Sequence, residues 1–273
     1  MIQLFNDDIR LENRQSSKGN QLKFERDGVW YKADYCGYEG LAEYVISKLL
    51  SFSTLSVEEY VDYDLEQIEY KGNVFNGCKS RDFTNGWQLI TLERLFKQSY
   101  GYGLNQVIYK IPEKTERLKK LVEETERLTG ISEFGKYMNK ILTVDALFLN
   151  EDRHTHNLAV LTHNLADFKL APIFDNGAGV LSDTTMDYPL GNDIIRMIDS
   201  VRAKTFSESF EEQMDISERL YGENIRFSFG YSDVRNIVDE AEIYSEEIRE
   251  RVVDVIMQIR RRYEYLFKRK IVL

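Results

Sequence analysis

Proline and cysteine are scarce in this sequence, whose 273 residues include three prolines and two cysteines, Cys36 and Cys78. So few cysteines in a chain of this size exclude a disulfide scaffold and indicate reduced thiols, as in a cytosolic protein. Because prolines are few and no segment is of low complexity, long disordered linkers are not expected. We therefore expect a compact protein of cytoplasmic location.

Long apolar runs are also missing. No stretch approaches the ~18–20 consecutive apolar residues that a membrane helix needs, so we expect no membrane span. The first residues are acidic and poor in apolar side chains, unlike a secretory signal. The net charge is −10. This charge argues against direct nucleic-acid binding, because phosphate backbones are bound by basic surfaces.

Motifs of two other classes of site are absent. Three histidines without cysteine partners do not make a zinc site. No Gly-x-x-x-x-Gly-Lys-Ser/Thr sequence occurs, so a P-loop NTPase is not supported. Cations cluster near the C-terminus, in Arg260–Arg262 and Lys268–Lys270. We interpret them as a solvated helix face rather than as a patch for acidic partners.

The strongest functional signal lies in the segment Asn150–Gly177. It contains an Asp-Arg-His-x-x-Asn sequence beginning at Asp152 and, further on, an Asp-Asn-Gly sequence beginning at Asp175. Between these two polar sequences, Leu158–Leu161 and Phe168–Ile173 predict short strands joined by a loop. The segment is therefore predicted to form a hairpin with a polar sequence at each of its outer ends.

The predicted hairpin brings three polar side chains together. Since the outer ends of a hairpin lie side by side, Asn157 and Asp175 should be neighbours, with Asp152 in the loop that feeds the same end. Mg²⁺ prefers such oxygen ligands and leaves its other positions to water and phosphate. A second carboxylate near the acceptor hydroxyl can orient it and take its proton. The segment thus predicts phosphoryl transfer from ATP, with Asn157 and Asp175 as magnesium ligands and Asp152 as the positioning base.

These motifs resemble the catalytic loop and metal aspartate of HipA-like kinases, whose fold and loop pattern are similar to those of phosphoinositide 3- and 4-kinases. Protein kinases keep the same Asp-to-Asn spacing as Asp152 and Asn157. The resemblance extends to Ser16–Lys23, which matches a Ser-x-x-Gly-x-Gln-x-Lys phosphate loop. It implies ATP and Mg²⁺ as cofactors, and Ser17, Gly19 and Gln21 as phosphate-loop residues.

A lysine and a helix glutamate complete the resemblance. Lys32 ends a predicted strand, where a kinase holds the lysine that pairs with the α- and β-phosphates. The following helix, predicted over Tyr38–Leu50, offers Glu39 and Glu43 one turn apart on one face. Either glutamate could fix Lys32. Comparison with HipA-like sequences favours Glu39, and Glu43 stays open.

The element pattern predicts a sheet followed by helices, and together with this pattern the resemblance implies an α+β, two-lobed protein kinase-like fold. A small, mostly antiparallel β N-lobe with one helix is expected over residues 1–85, and a larger helical C-lobe over residues 86–273. The crossing near residues 78–86, which includes Cys78, is expected to bind the adenine edge through its backbone. The catalytic loop covers residues 150–157, and the activation segment, residues 176–205, is expected to be mobile.

Individual elements are also predicted. In the N-lobe, hairpin strands are expected over Gln21–Phe24 and Val29–Lys32, and further strands over Val57–Tyr63 and Ile68–Cys78. In the C-lobe, helices are expected over Leu89–Tyr100, Glu113–Thr129, Ser132–Leu149 and Glu240–Lys270.

Several residues near the catalytic loop receive secondary roles. Arg153 and His154 are predicted to be structural and to bond the loop backbone or the surroundings of Asp175. Asp145, near the end of the preceding helix, is predicted to hydrogen-bond the same loop. Candidate autophosphorylation sites in the activation segment are Ser182, Thr184 and Thr185.

The predicted function is that of a HipA-like kinase that phosphorylates serine or threonine hydroxyls on a protein substrate. One alternative keeps the fold and changes the acceptor to a phosphoinositide or another small alcohol. Another alternative is a nucleotide-binding toxin-like or regulatory module with little turnover. The resemblance names a small antitoxin-like or regulatory protein as a candidate partner.

Overall fold

The protein is described by a computed structural model that covers residues 1–10 and 21–267. An N-terminal β-sheet with one helix packs on a larger, mainly helical part. The expected α+β organisation, with a small antiparallel sheet followed by helices, is confirmed. The boundary predicted between residues 85 and 86 falls in the turn between the two parts and stays a prediction.

The N-terminal sheet has five strands in the order β1-β4-β5-β3-β2. Their bounds are β1 Ile2–Gln3, β2 Lys23–Arg26, β3 Val29–Ala33, β4 Asp64–Tyr70 and β5 Asn73–Arg81. All neighbours are antiparallel except β1 and β4. The register places β3 beside β5, so the middle of the sheet carries the lysine predicted to bind phosphate.

Glycine sets the distance between the sheet and its helix, α1, which spans Glu39–Leu50. A Cβ atom at Gly40 would lie 2.5 Å from the backbone of Gly77 in β5. That is closer than heavy atoms can approach, so glycine permits the backbones to meet. The first turn of α1 is thereby held against the strand next to β3.

The chain leaves the sheet at Arg81 and enters a second sheet of three antiparallel strands, ordered β6-β7-β8. They are β6 Gln88–Thr91, β7 Ala159–His163 and β8 Asp167–Leu170. The predicted catalytic hairpin is therefore present as β7 and β8, with β6 added at its edge. The expected helix over Leu89–Tyr100 is wrong at its start, because Leu89 and Ile90 pair with β7. Thr91 instead caps the following helix by accepting a hydrogen bond from the Arg94 amide.

Eight helices follow in the C-terminal part of the described chain, and their bounds are α2 Leu92–Tyr100, α3 Leu104–Ile108, α4 Lys114–Thr129, α5 Phe134–Phe148, α6 Ile194–Ser200, α7 Phe210–Tyr221, α8 Tyr231–Asp239 and α9 Glu246–Arg262. The central helix is α5, which contacts α4, α7 and α9. It ends at Leu149, whose backbone is left-handed (φ 55°) and turns the chain into the catalytic loop.

Three further element predictions are wrong. Ile68–Cys78 is not one strand, because Lys71 and Gly72 form the turn between β4 and β5. Val57–Tyr63 is not a strand either: Tyr60 forms an isolated bridge to Ile173, and Val61 and Tyr63 pack between the two sheets. Val57 lies at an exposed corner, so its β-branched side chain has no sheet face to cover. The tail is not one helix from Glu240, because Ser245 caps α9 through the Ile248 amide and so fixes its start. Residues 268–270 of that prediction lie outside the described residues.

None of the helices in residues 1–10 and 21–267 combines the length and the apolar character that a bilayer-spanning helix requires.

Phe148 closes the core beneath the catalytic loop. It is 1% exposed, and its ring centroid lies 6.4 Å from that of Phe227 and 6.3 Å from that of Phe229.

Since truncation leaves a cavity that the packed rings cannot fill, we expect Phe148→Ala to lower the free energy of unfolding by about 3–5 kcal/mol. Urea denaturation measures this. Met186→Ala, at a side chain that is 77% exposed, is the control and should change the value by less than about 0.5 kcal/mol. Equal small effects of both substitutions would contradict the assignment of Phe148 to the core.

Candidate active site

Lys32 lies in β3 opposite Cys78 of β5, with its side chain directed toward α1 and the catalytic segment. Its Nζ is 2.5 Å from Glu43 Oε1 and 2.8 Å from Asp175 Oδ1. The ammonium also lies 5.2 Å from the centre of the Tyr63 ring, within range of a cation–π contact. Burial lowers the pKa of Lys32, but the charges of Asp175 and Glu43 outweigh burial and raise that pKa well above its ordinary value. Lys32 is therefore charged and is held by two carboxylates.

The glutamate that meets Lys32 is Glu43, and the preference for Glu39 is corrected. Glu39 is the first residue of α1, and its carboxylate turns back to accept hydrogen bonds from the amides of Cys36 at 2.7 Å and Gly37 at 3.1 Å. Glu43 is one turn further on, where the close approach of α1 to the sheet buries it. Its second oxygen accepts a hydrogen bond from the Asn176 amide at 2.8 Å. Glu43 thus contacts both Lys32 and the segment that follows Asp175.

Asp175 has a left-handed backbone, with φ 60°, a conformation that aspartate adopts more readily than most residues. Burial raises the pKa of Asp175, but the Lys32 and Lys23 ammonium groups and the hydrogen bond from Lys32 hold that pKa well below its usual range. The carboxylate is therefore ionised at neutral pH. An ionised carboxylate is the state that a magnesium ligand requires.

In the catalytic loop, Asn157 folds back on Asp152. The Asn157 amide nitrogen donates to the Asp152 carbonyl oxygen at 2.9 Å and lies 3.4 Å from Asp152 Oδ2. Because the nitrogen is used in this way, Asn157 Oδ1 is the oxygen left to coordinate a cation. His154 Nε2 is 3.8 Å from Asp152 Oδ1. Burial lowers the pKa of His154, with the Asp152 carboxylate acting against this shift.

Arg153 links the catalytic loop to α5 and to the Asp175 segment. Its Nε lies 3.1 Å from Asp145 Oδ2, and the Arg153 and Asp145 side chains are 2% and 1% exposed. Arg153 Nη1 donates to the carbonyl oxygens of Phe174 at 2.7 Å and Asn157 at 3.3 Å. Nη2 donates to Asn176 Oδ1 at 2.8 Å. The structural roles predicted for Arg153 and Asp145 are confirmed.

One guanidinium nitrogen therefore bonds the carbonyl next to Asp175 and the carbonyl of Asn157 itself. The backbone of Asn157 and that of the residue before Asp175 therefore share one donor. Two polar residues escaped the sequence reasoning. The Asn150 side-chain nitrogen donates a hydrogen bond to Asp145 Oδ1 at 2.9 Å. Asn176 Oδ1 accepts the hydrogen bond from Arg153 Nη2. The signal that could have identified them is an Asn close to each motif: Asn176 directly follows Asp175, and Asn150 lies two residues before Asp152.

The donor set fits a single magnesium ion. No group of three or more His, Cys, Asp or Glu residues placed to hold a metal occurs in the described part of the chain. Mg²⁺ does not need such a group, because it binds through one or two carboxylates and completes its shell with water and phosphate. Asp175 and Asn157 supply one ionised carboxylate and one amide oxygen, which match this requirement.

Cys78 lies within β5 and not in the crossing. It pairs with Lys32 on one side and with Leu65 on the other, so its backbone belongs to the sheet. The crossing instead comprises residues 82–87, between β5 and β6. The Cys78 side chain is fully buried in an apolar cluster between the two sheets, whose other buried members are Val61, Tyr63, Ala159, Leu161, Ala171 and Phe174. Burial raises the pKa of the Cys78 thiol, so the thiol is neutral.

The structure describes only one of the three residues predicted for the phosphate loop. Ser17 and Gly19 lie outside the described residues. Gln21 is half-buried and directly precedes β2, in which Lys23 pairs with Lys32. The chain therefore enters the sheet beside the strand that carries Lys32.

The first half of the predicted activation segment is packed against both parts of the protein. Ser182 accepts a hydrogen bond from the Tyr38 amide through its carbonyl at 3.1 Å. Tyr188 donates to Glu151 Oε2 at 2.7 Å. The buried Arg251 of α9 donates to the Tyr188 carbonyl at 2.7 Å. The expected mobile segment is thus anchored at residues 182–188, and residues 194–200 form α6.

The three candidate phosphorylation sites differ in access. The Ser182 hydroxyl is buried and donates to the Gly177 carbonyl at 2.6 Å. Thr184 is half-buried and Thr185 is exposed, although the Thr185 hydroxyl donates to the Cys36 carbonyl at 3.0 Å. Autophosphorylation stays a prediction, and Thr185 is the most accessible of the three hydroxyls in this conformation.

Comparisons with known proteins identify the fold. A proinflammatory kinase of Helicobacter pylori, CtkA, has a similar structure, with a TM-score of 0.62 and 15% sequence identity over 97% of this chain and 96% of that chain. A complex of HipA, HipB and operator DNA from Shewanella oneidensis MR-1 contains a more distant match. Its TM-score is 0.47 and its identity is 13%, over 91% of this chain and 61% of that chain. No protein-family model matches the sequence, and no curated protein does. The predicted kinase-like, two-lobed fold is confirmed by the first of these structures.

Removal of Arg153 tests its role as the link within the site. We expect Arg153→Met to lower the free energy of unfolding by about 3–5 kcal/mol, because Asp145 is left as a buried, uncompensated charge. Urea denaturation at pH 7 measures the effect. The control is the double variant Arg153→Met with Asp145→Leu, which removes both charges and should recover most of the loss. A double variant no more stable than Arg153→Met would contradict this account.

Proposed function

We propose that this chain, which has the fold of a bacterial kinase, is a HipA-like phosphotransferase that moves the γ-phosphoryl group of ATP to a serine or threonine hydroxyl of a protein. The observation that carries the proposal is the position of Lys32 between Glu43 and Asp175. This pair of contacts joins the N-terminal sheet, α1 and the Asp175 segment around one ammonium group. A phosphate-binding lysine fixed by a helix glutamate is the arrangement that kinases use.

Each residue then has a defined task. Lys32 binds the α- and β-phosphates and keeps its contact with Glu43 while Asp175 turns to the metal. Asn157 and Asp175 would hold Mg²⁺, which supplies charge neutralisation at the phosphate oxygens. Asp152 orients the acceptor hydroxyl and accepts its proton. We place the base of the nucleotide at the crossing, residues 82–87, whose backbone groups would bind its edge.

The rigidity of the site supports turnover. In phosphoryl transfer the protein forms no covalent bond that drives the reaction. Catalysis depends on positioning the reactants and on electrostatic stabilisation. Arg153 fixes Asn157 and the Phe174 carbonyl from one buried guanidinium. The loop residues are therefore held in place before any nucleotide binds, which favours an active phosphotransferase over a nucleotide-binding module with little turnover.

The segment after Asp175 favours a protein acceptor over a lipid. A kinase acting on phosphoinositides needs a basic surface that faces the membrane. Here the exposed part of the segment carries charges of both signs. The exposed charged residues that follow Thr185 are Asp187, Asp193, Arg196, Asp199, Arg202 and Lys204. Such a mixed surface suits a polypeptide acceptor.

Loss of Asp175 tests the metal assignment. We expect Asp175→Ala to abolish Mg²⁺-dependent label transfer from γ-labelled ATP, because the ionised carboxylate that holds the metal is gone. Circular dichroism should show an intact fold. The control is Asp167→Ala, at an exposed carboxylate of the same hairpin, which should transfer label like the wild type. Full activity of Asp175→Ala would reject the assignment.

Asp152→Asn separates binding from transfer. The amide keeps the shape of the side chain but cannot accept the acceptor proton, so transfer should fall by about 10²–10⁴-fold. The affinity for Mg·ATP, measured by titration calorimetry, should stay within about 3-fold of wild type because Asp152 does not bind the nucleotide. Surviving transfer would show that Asp152 is not the positioning base.

A further inference from the structure

Lys204, at the far end of the predicted activation segment, lies beside the proposed positioning base. Its Nζ is 4.0 Å from Asp152 Oδ1, and its side chain is 40% exposed. An ion pair of this length and exposure contributes little to stability, since exposed pairs are typically worth about 0–1 kcal/mol. Holding Asp152 in place is therefore a poor explanation for the position of Lys204.

Two hydrogen bonds fix the chain at Lys204 and at Thr205, the residue that follows it. The Tyr109 hydroxyl lies 3.1 Å from the Lys204 carbonyl oxygen, to which it donates. The buried Thr205 hydroxyl donates to the Arg153 carbonyl at 2.6 Å. Since Arg153 is itself anchored to Asp145, the Lys204 backbone belongs to the same rigid unit as the catalytic loop, while its ammonium faces solvent.

Two other cations of the site, Arg153 and Lys32, are directed at groups other than Asp152. Arg153 lies within the loop, but its guanidinium is buried and directed at Asp145, Phe174 and Asn176. Lys32 is held by Glu43 and Asp175 on the side of the N-terminal sheet. Lys204 therefore brings a partly exposed positive charge to Asp152, whereas the contacts of Lys32 are with Glu43 and Asp175.

We propose that Lys204 binds the phosphoryl group as it passes from ATP to the acceptor, an inference that rests on the proposed function. The acceptor oxygen attacks the γ-phosphorus while the bond from that phosphorus to the β,γ-bridging oxygen breaks. ADP leaves with the electron pair of the broken bond, and Asp152 takes the hydroxyl proton. Lys204 stays protonated throughout and pairs with the non-bridging oxygens. A cation placed where charge develops lowers the barrier more than it tightens ground-state binding.

The test compares Lys204→Ala and Lys204→Arg with the wild type, using γ-labelled ATP and Mg²⁺. Label on protein and labelled phosphate released to water are followed in the same reactions. Lys204→Ala should lower kcat for both acceptors by the same factor, about 10²-fold, with the Kd for Mg·ATP within about 3-fold. Lys204→Arg keeps the charge and should restore at least a tenth of the wild-type rate. Arg196→Ala, at an exposed cation of the same segment, is the control and should react like wild type.

Three outcomes would overturn the proposal. Wild-type kcat in Lys204→Ala would remove Lys204 from the reaction. A loss confined to protein transfer, with release to water unchanged, would make Lys204 a contact to the acceptor protein. Equal losses in the Ala and Arg variants would indicate a structural role. The proposed function fails separately, if the wild type shows no turnover that depends on Asp175.

Discussion

Burying a guanidinium together with a carboxylate costs solvation energy that their mutual attraction offsets only when the remaining donors and acceptors are also bonded. Arg153 and Asp145 meet this condition. All three guanidinium nitrogens of Arg153 donate, to Asp145, to two backbone carbonyls and to Asn176. We infer that this buried pair specifies one arrangement of the chain rather than adding stability. One side chain fixes the end of α5, the catalytic loop and the Asp175 segment relative to one another.

A second charged cluster joins this unit to the N-terminal sheet. Lys32 reaches from β3 to Glu43 on α1 and to Asp175 next to the Arg153 contacts. Glu43 in turn bonds the Asn176 amide. The sheet, its helix and the catalytic segment are therefore connected by short, charge-assisted hydrogen bonds, which are stronger than bonds between neutral groups. Movement of α1 would break two of these bonds, so the position of α1 and the charge state of the site are coupled.

The segment after Asp175 is tied to the same framework. The Ser182 carbonyl accepts a hydrogen bond from the Tyr38 amide, which directly precedes α1, and the Tyr188 carbonyl accepts one from Arg251 of α9. At the end of the segment, the Thr205 hydroxyl donates to the Arg153 carbonyl in the catalytic loop. Fixed at both ends, the segment presents its charged central residues to solvent and carries Lys204 to the edge of the site. An acceptor polypeptide would then meet a preformed surface, which lowers the ordering cost of binding.

The sequence alone predicted a candidate site and determined much of the local structure. The alternation of apolar residues between Asn157 and Asp175 predicted the β7–β8 hairpin, since a strand's side-chain period is visible in the chain itself. The loop spacing is visible in the chain as well, whereas the role of the lysine and the kinase-like fold were implied by the resemblance to HipA-like kinases. Ranges were less certain where local preferences compete, as at Leu89 and Ile90, whose helical pattern gave way to pairing with β7.

Only the tertiary structure decided which groups meet. Glu39 and Glu43 lie on one helix face and are indistinguishable by spacing, but α1 approaches the sheet so closely at Gly40 that Glu43 reaches Lys32 while Glu39 bonds its own entry loop. Cys78 joined the core rather than the crossing because β5 continues to Arg81. Lys204 is 52 residues from Asp152 in the sequence, and its place at the site depends on long-range hydrogen bonds that no local pattern encodes.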